Sequence, residues 1–514
     1  MVAGATGIDL VAMVIAADEG VMPQTREHME ICSLLGVEYG LVVLTKVDLV
    51  DEEWLELVQE DIGEFTRGTF LEGAPVLPTS AASGQGIEAF MATLEDLCAR
   101  LPERPPSSLF RLPVDRVFTM RGFGTVITGT LVSGRVRVGD GIMIYPSGIS
   151  SKVRGIQVHN DAVSEAESGT RTAINFQGLD KAAVNRGDVV SSPGALISSY
   201  MIDLSTHFLG SNKKPLKNRT RVRFHAGTSE ILGQMILLDR DELLPGDTAV
   251  TQIRLEAPTA LVRDDRFVIR SYSPVRTIGG GQVLNPIPPK HKRLKPDTIA
   301  GLNRIPELAP EDLIAYHADA SGYRGLSFGA LKIITNLTEK SLEATLQGLL
   351  SRKKLVLADR DLRLYIHQNS FDGITREIFD HLDRYHAAYP LKGGMPKEEL
   401  KSKFPPYMGA KLFSLVLNQA VKNKEVVPEE DTVRLARHAV SLGVDQKQIR
   451  QKILALYEQS GLTPPYAREL GQLLGVAPGG AKDVLLLLVD EGLILKVKED
   501  LYLRNRPSMP SRRS

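Results

Sequence analysis

The stretch Leu10–Ala17, with the sequence LVAMVIAA, is followed by Asp18–His28, DEGVMPQTREH, and together they decide how the N-terminal part of the chain folds. A second apolar run, Leu41–Leu44, leads directly into Thr45–Asp48, TKVD. Continuous short apolar runs are typical of parallel strands that are buried on both faces. Since a helical pattern separates the two runs, the sequence predicts an α/β domain with a parallel sheet over residues 1–104.

Three helices and a third strand complete this predicted domain. The helical patterns cover residues 24–36, 52–65 and 87–101, and the third strand begins at Val76. The resulting order of elements is that of repeated strand–helix–strand units.

The motif Thr45–Asp48 follows a predicted buried strand, which is where a base-binding loop belongs. A carboxylate such as that of Asp48 can accept hydrogen bonds from N1–H and from the exocyclic amine of guanine, whereas adenine offers neither. The stem of Lys46 would pack along the base, and the segment Ser80-Ala81-Ala82, after the next strand, would supply N–H groups for guanine O6. Either motif alone also fits a solvated turn, but their order predicts a guanine site formed by Thr45, Lys46, Asp48, Ser80 and Ala81.

No phosphate-binding loop of the form G-x-x-x-x-G-K-[ST] precedes these motifs in the given sequence. The first 16 residues contain neither lysine nor arginine. Such a loop and the switch segments hold the nucleotide phosphates and Mg²⁺ and position the attacking water. We therefore expect the chain as given neither to bind GTP tightly nor to hydrolyse it, so no catalytic residue is assigned. Calorimetry that showed micromolar affinity for GTP and Mg²⁺ would contradict this expectation.

Composition excludes several classes of protein. The chain has 514 residues, 43% of them hydrophobic and 24% charged, so it is expected to fold as several domains. Lys+Arg and Asp+Glu are both 62, so any nucleic-acid contact must come from local patches. Cys32 and Cys98 lack metal-ligand spacing, and no apolar run is long enough to span a membrane. We expect a cytoplasmic protein without a metal site or membrane contact.

Short strands with glycine turns follow the linker at Pro102–Pro106. The runs Val114–Phe118 and Gly124–Thr130 predict a first β-barrel over residues 105–197. The strands predicted at Arg219–His225 and Arg266–Arg270 belong to a second barrel over residues 198–290.

The C-terminal part is mainly helical and contains three similar segments. Each ends in paired short strands, and the first strands of the pairs are Leu355–Leu357, Val426–Pro428 and Leu493–Leu495, with spacings of 71 and 67 residues. These spacings favour tandem winged-helix modules. The predicted modules cover 297–367, 371–439 and 445–503, and the tail 504–514 is expected to be disordered.

Several motifs resemble those of one protein family. The segment Asp18–His28 is similar to translational GTPases of the elongation factor Tu type. The segments Arg116–Gly139, RVFTMRGFGTVITGTLVSGRVRVG, His225–Gly233, HAGTSEILG, and Thr277–Gly281, TIGGG, resemble selenocysteine-specific elongation factors, as do the winged helices. The fold class that follows is multidomain: a partial α/β P-loop-type G domain, two β-barrels of the translation-factor type, and tandem winged-helix α+β modules.

The resemblance implies a carrier that binds GTP or GDP, with Mg²⁺ in the full-length family. It would act as a monomer and deliver selenocysteinyl-tRNA to the ribosome at a recoded UGA, guided by an mRNA hairpin. An alternative is an adaptor that binds tRNA or the ribosome without nucleotide. A winged-helix DNA regulator is a weaker alternative, because the net charge is zero.

The resemblance also implies a selenocysteine pocket in the first barrel, at Asp115, Arg116 and Arg171. A selenol is more acidic than a hydroxyl, so two arginines in a partly desolvated pocket would favour its anion over a neutral serine side chain. Asp115 would hold one guanidinium in place. The alternative is a salt bridge between Asp115 and Arg116 that serves only the barrel.

Basic residues cluster at the start of the second barrel. Alternate members of the strand would share a face that meets tRNA phosphates, although lysines also protect solvated edge strands. The predicted tRNA contacts are Lys213, Lys214, Lys217, Arg219 and Arg221, with Arg223 on the same strand.

The C-terminal part differs from the family pattern. The family usually carries four winged helices, the last with a basic RNA-binding surface, and three are predicted here. The third, 445–503, holds seven Lys/Arg against eight Asp/Glu, which is a poor charge balance for binding RNA. We expect the sequence to be shortened at both ends relative to the family, and mRNA-hairpin binding rests on the resemblance alone.

Overall fold

The computed structural model describes residues 7–102, 107, 109–120, 124–176, 178, 183–438, 444–461, 463–476 and 478–505. The chain divides into two compact units. One consists of residues 1–317 with 326–352, and the other of residues 318–325 with 353–514. Most of the predicted linker, residues 103–106, lies outside the described residues.

The N-terminal domain contains a parallel sheet in the order β1-β2-β3. Its elements are β1 (Leu10–Ala16), α1 (Pro23–Leu34), β2 (Tyr39–Thr45), α2 (Glu52–Thr66), β3 (Val76–Pro78) and α3 (Ile87–Arg100). Met13, Ile15, Val42, Leu44 and Ile62 are buried in its core. The α/β prediction is confirmed.

The two long strands differ in burial. β2 is buried at every position from Gly40 to Leu44, as a continuous apolar run predicts. In β1, however, Ala12 is exposed and the side chain of Val14 is 60% exposed. The expectation of burial on both faces was therefore wrong for β1.

The first β block forms one curled antiparallel sheet in the order β4-β13-β8-β9-β12-β6-β5, with β10 paired to β9 and a separate pair of β7 and β11. The strands are β4 (Arg111–Pro113), β5 (Arg116–Met120), β6 (Gly124–Thr130), β7 (Arg135–Arg137), β8 (Gly141–Tyr145), β9 (Ile149–Val158), β10 (Asp161–Val163), β11 (Glu165–Glu167), β12 (Arg171–Phe176) and β13 (Val189–Ser191). Backbone hydrogen bonds join Arg111 of β4 to Val132 and Ser133, just beyond β6. The edge at β4 is thereby brought back to β6, so the sheet curls around a single core.

The second β block is a closed barrel in the order β14-β19-β17-β16-β20-β21. Its strands are β14 (Ser199–Phe208), β16 (Arg221–Ala226), β17 (Ser229–Leu237), β19 (Thr248–Thr259), β20 (Arg266–Ser271) and β21 (Thr277–Asn285), beside a small pair of β15 (Leu216–Lys217) and β18 (Glu242–Leu243). The rings of Phe224 and Phe267 stack in the core, 5.4 Å apart.

The glycine run of β21 is explained by the neighbouring strands. A Cβ atom at Gly279 would lie 2.5 Å from the carbonyl oxygen of His207, and one at Gly281 would lie 2.0 Å from that of Ser205. No side chain fits at such distances, so glycine is needed where β21 runs against β14.

The N-terminal domain and the two barrels are joined by charged contacts. Arg111 Nη1 in the first barrel donates to both carboxylate oxygens of Asp265 in the second, at 2.8 Å each. Glu27 of α1 accepts hydrogen bonds from Arg270 Nη2 at 2.8 Å and Thr277 Oγ1 at 2.9 Å. Burial alone would raise the pKa of Glu27, but the hydrogen bonds of Thr277 and the charge of Arg270 outweigh burial and lower it.

The C-terminal part alternates helices with short paired strands. Its elements are α4 (Pro296–Arg304), α5 (Pro310–Ser321), β22 (Leu326–Ser327), α6 (Phe328–Thr335), α7 (Glu339–Ser351), β23 (Leu355–Asp359), β24 (Leu364–His367), α8 (Gln368–Ala388), β25 (Met395–Pro396), α9 (Lys397–Ser402), α10 (Ala410–Lys422), β26 (Val426–Glu429), β27 (Thr432–Leu435), α11 (Val444–Gln459), α12 (Leu470–Leu474), α13 (Pro478–Asp490), β28 (Ile494–Lys498) and β29 (Leu501–Arg504). The series α8, β25, α9, α10, β26 and β27 is a winged helix, with strand order β25-β27-β26.

The structure differs from two predicted boundaries of this part. The segment predicted as the first winged helix, 297–367, contributes residues to both compact units. Arg504 ends β29, so the prediction of a disordered tail from residue 504 was wrong at its first residue. The rest of that tail, from residue 506, lies outside the described residues.

Candidate functional sites

The loop after β2 carries the first predicted motif. Thr45 ends the strand, and its Oγ1 donates to the carbonyl oxygen of Ile15 in β1 at 3.3 Å. Lys46 has a φ of 58°, and its Nζ lies 2.9 and 3.1 Å from the carboxylate oxygens of Asp18. The hydrogen bond to Asp18 raises the pKa of Lys46, so the ammonium stays charged.

The two predicted base-binding loops meet. The N–H of Val47 donates to the carbonyl oxygen of Thr79 at 3.3 Å, next to Ser80. The side chain of Asp48 is exposed at this junction. The amide of Ser80 donates to the carbonyl oxygen of Gln85 at 2.9 Å, so the expectation that this N–H is available to a base was wrong.

The next two amides of that loop have no such restriction. Ala81 and Ala82 are exposed, and their N–H groups hydrogen bond to no other part of the described chain. They and the Asp48 carboxylate are therefore available to meet a ligand.

Sequence reasoning missed Trp54 as part of this site. Its indole Nε1 donates to the carbonyl oxygen of Ala17 at 2.9 Å, and Ala17 precedes the Asp18 that holds Lys46. Trp54 is the single tryptophan of the chain and is 47% exposed. Its position at the third residue after the helix-capping Asp51 was visible in the sequence, but its contact across the loops was not.

The predicted pocket of the first barrel is centred on Asp115. One carboxylate oxygen accepts from Arg171 Nη1 at 2.5 Å, and the other accepts from Thr128 Oγ1 at 2.6 Å. The side chain of Asp115 is 19% exposed, whereas that of Arg171 is 52% exposed. Asp115 therefore holds a guanidinium that remains accessible to solvent.

Arg116 lies on the same side of the barrel without a carboxylate partner in the described chain. It lines an open cleft of about 810 Å³ together with Asp115, Phe118 and Arg186. The alternative of a salt bridge between Asp115 and Arg116 was wrong, because Asp115 pairs with Arg171 instead. Arg186 was missed by sequence reasoning, since no motif links it to residues about 70 positions earlier.

The basic cluster of the second barrel is partly neutralised. Arg221 forms a two-point ion pair with Glu256, at 2.8 and 3.0 Å, and Arg223 pairs with Glu230 at 2.5 Å. Both guanidinium groups also lie over the ring of Tyr272, at 4.8 and 5.6 Å from its centre, which confirms that they share a face.

The other predicted tRNA contacts lie close by in the chain. Lys217 is 3.6 Å from Glu242, whereas Lys213, Lys214 and Arg219 are exposed. In the described residues no group of three or more His, Cys, Asp or Glu could hold a metal ion. No described helix is both long and apolar enough to cross a membrane.

Comparison with known proteins identifies the family. The chain is 43% identical over 502 residues to the selenocysteine-specific elongation factor of Desulfomicrobium baculatum, covering 98% of this chain and 79% of that protein. The chain belongs to the family of selenocysteine-specific elongation factors. It is 28% identical over 512 residues to the Escherichia coli (strain K12) member, covering 98% of this chain and 78% of that protein.

Family models match along this selenocysteine-specific elongation factor chain. The elongation factor Tu GTP binding domain matches residues 1–100, and elongation factor Tu domain 2 matches 124–191. The beta-barrel domain of selenocysteine-specific elongation factors matches 205–290, and a winged-helix model of elongation factor SelB matches 379–435. The predicted fold class is thus confirmed.

Solved structures agree with this assignment. The crystal structure of bacterial selenocysteine-specific elongation factor EF-Sec matches with a TM-score of 0.69 and 25% identity, covering 98% of this chain and 78% of that chain. The apo form of SelB from Methanococcus maripaludis matches with a TM-score of 0.51 and 26% identity, covering 56% of this chain and 67% of that one. The chain is a translation elongation factor of a family that binds guanine nucleotides, and the nucleotide-independent adaptor is not favoured.

Proposed function

We propose that this chain carries selenocysteinyl-tRNA to the ribosome for incorporation of selenocysteine at UGA, a delivery that is GTP-dependent in the full-length family. The observation that supports this most directly is the basic cleft of the first barrel. Arg116 lines this cleft and has no carboxylate partner in the described chain, and Asp115, which also lines it, holds the adjacent Arg171 by one of its N–H groups. The other N–H groups of both guanidinium ions can donate to an anion.

The chemistry of the amino acid fits this cleft. A selenol loses its proton more readily than a thiol or a hydroxyl, so it enters the cleft as an anion at neutral pH. Hydrogen bonds between guanidinium groups and an anion are stronger than those to a neutral hydroxyl. Asp115, Arg116 and Arg171 would therefore favour selenocysteine over serine by the difference in charge.

Reversing the charge of Arg171 tests this assignment. We expect Arg171→Glu to weaken selenocysteinyl-tRNA binding by roughly 10- to 100-fold, the loss of one charged hydrogen bond, and seryl-tRNA binding much less. The measurement is a titration of the two fluorescently labelled tRNAs with wild-type and variant chains in GTP and Mg²⁺.

A double variant in the second barrel provides the matched control. Lys213 and Lys214 are exposed and are proposed to contact tRNA phosphates, together with Lys217, Arg219 and Arg221. The double variant Lys213→Ala/Lys214→Ala should weaken the binding of both tRNAs by the same factor and reduce the salt dependence of that binding. Equal weakening of both tRNAs by Arg171→Glu would refute the pocket.

The guanine base is assigned to the two loops that meet at Val47 and Thr79. The carboxylate of Asp48 would accept from guanine N1–H and its amine, and the free amide of Ala81 would donate to O6. Thr45 would hold the loop to β1, Lys46 would cover the base, and the backbone of Ser80 would shape the turn. Mg²⁺, when bound with GTP, would neutralise phosphate charge.

Base recognition can be tested apart from phosphate binding. The amide introduced by Asp48→Asn can accept from N1–H and donate to the 2-oxo group of xanthine, but with a single oxygen it cannot accept from both N1–H and the amine of guanine. We therefore expect wild type to prefer GMP to XMP, and Asp48→Asn to reverse the preference. The fluorescence of Trp54, the single tryptophan, reports binding from beside Ala17. An unchanged order of affinities in the variant would contradict the role of Asp48.

The domain boundaries predicted from the sequence are part of this proposal, and the chain would work as a monomer in the cytoplasm. Contact with the mRNA hairpin follows from the family. A gel shift with the cognate hairpin tests it, and absence of a shift would contradict hairpin contact by this chain.

A further inference from the structure

The strand register places several candidate pocket residues on one face of the first barrel. Arg116 of β5 lies opposite Thr128 of β6, and Arg171 of β12 lies opposite Thr130 of β6. Directly opposed residues of antiparallel strands point to the same face, as do residues two apart on one strand. The side chains of Arg116, Thr128, Thr130 and Arg171 therefore share one face.

Asp115 reaches this face from just before β5. A Cβ atom at Gly129 would lie 2.1 Å from the carbonyl oxygen of Pro113, so glycine permits the close approach of the chain that leads to Asp115. The Asp115 amide then donates to the carbonyl oxygen of Thr128 at 2.9 Å. Backbone geometry thus fixes Asp115 beside the Thr128 side chain.

The two oxygens of the Asp115 carboxylate have separate partners. Oδ1 accepts from Thr128 Oγ1 at 2.6 Å, and Oδ2 accepts from Arg171 Nη1 at 2.5 Å. Arg171 is half exposed and so has little packing to hold its guanidinium in place. Without the hydroxyl, the carboxylate could rotate and take the guanidinium with it.

We propose that Thr128 is a positioning residue for selenocysteine recognition, which acts by fixing the rotation of Asp115 and thereby the guanidinium of Arg171. This inference rests on the proposed function of the cleft. Thr128 does not touch the selenocysteine side chain; its hydroxyl proton is donated to Asp115. It sets how well the cleft distinguishes an anion from a neutral group of similar shape.

Three variants separate this role from a structural one. Thr128→Val keeps the shape and removes the hydroxyl, Thr128→Ser restores the hydroxyl, and Thr130→Val makes the same change two residues along the same face. The Thr130 hydroxyl makes no hydrogen bond to Asp115, so this variant is the matched control.

The readout is the ratio of the Kd for seryl-tRNA to the Kd for selenocysteinyl-tRNA, measured for the full chain in GTP and Mg²⁺. We expect Thr128→Val to lower this ratio by roughly fivefold, less than the tenfold or more that a direct hydrogen bond to a charged group is worth, because Thr128 acts on the ligand only through Asp115 and Arg171. Thr128→Ser and Thr130→Val should keep the wild-type ratio. A purely structural role would weaken both tRNAs together and leave the ratio unchanged.

The outcomes are distinguishable. If Arg171→Glu lowers the ratio while Thr128→Val behaves like Thr130→Val, the inference is wrong and the proposed function stands. If the wild-type chain shows no preference between the two tRNAs, the proposed function fails and takes this inference with it. Failure of Thr128→Ser to restore the ratio would also overturn the role of the hydroxyl.

Discussion

At the scale of single residues, His317 on α5 is the clearest case of a side chain whose charge is set by burial. Its side chain is 5% exposed, and its Nε2 has no hydrogen-bond partner in the described chain. Burial, with a smaller effect from the charge of Arg263, lowers the pKa of His317 to about 3. The imidazole is therefore neutral in the folded chain at pH values where it is protonated in the unfolded chain.

This difference predicts a pH dependence of stability. A histidine with a lowered folded pKa contributes stability above its unfolded pKa of about 6.5, and this stability is lost as the pH falls towards 3. Replacement by leucine removes the titrating group. As the pH falls from 7 to 5, the free energy of unfolding of His317→Leu should therefore rise by about 2 kcal/mol relative to that of wild type.

The measurement is thermal unfolding of both chains across this pH range. The exposed His159 has a φ of 53°, which asparagine also adopts, so His159→Asn is the control. Its unfolding temperature should change with pH as that of wild type does. Parallel curves for wild type and His317→Leu would show that His317 titrates normally.

At the scale of elements, apolar patterning predicted which segments are strands and helices better than it predicted where they end. The helix expected at 52–65 is α2, because Asp51 caps it by accepting from the amide of Trp54 at 2.8 Å. The strand expected at Val114–Phe118 is β5, which begins only at Arg116, because Val114 and Asp115 lie between β4 and β5. The strand expected from Arg219 begins at Arg221, because Arg219 has a φ of 66°.

The misplaced strand boundary at Asp115 depends on contacts between residues that are far apart in the sequence, and so does the candidate pocket. Asp115 leaves the strand because its amide and carboxylate bind Thr128 and Arg171, which are 13 and 56 residues away in sequence. Local patterning carries no information about partners so distant. The same limit applies to Arg186, whose place in the cleft depends on how the sheet curls.

At the scale of the whole molecule, the two barrels within one compact unit are joined by the pair Arg111–Asp265. Their side chains are 13% and 18% exposed, and the carboxylate also accepts from the amide of Val262 at 2.9 Å. Removing one partner of such a shielded pair leaves the other charge without compensation.

We expect Asp265→Asn to destabilise the chain by about 3 kcal/mol, because Arg111 stays charged between the barrels. The exposed pair Arg221–Glu256 offers a matched control, and Glu256→Gln should cost less than about 1 kcal/mol. Calorimetric unfolding of the two variants measures the difference. Equal shifts in their unfolding temperatures would show that the barrel junction does not depend on this pair.

The sequence by itself determined the fold class, the order of the domains and the family, and it predicted the candidate base-binding motifs, because apolar period, glycine turns and contiguous motifs are properties of neighbouring residues. It also placed Asp115 and Arg171 together through the family pattern. Only the tertiary structure decided that Asp115 pairs with Arg171 rather than with Arg116, and that Thr128 donates to the other carboxylate oxygen of Asp115. It also decided that the Ser80 amide donates to the carbonyl oxygen of Gln85. These outcomes depend on strand register and on how closely the loops approach one another. Both set the distances between residues that are far apart in the sequence, and sequence spacing does not.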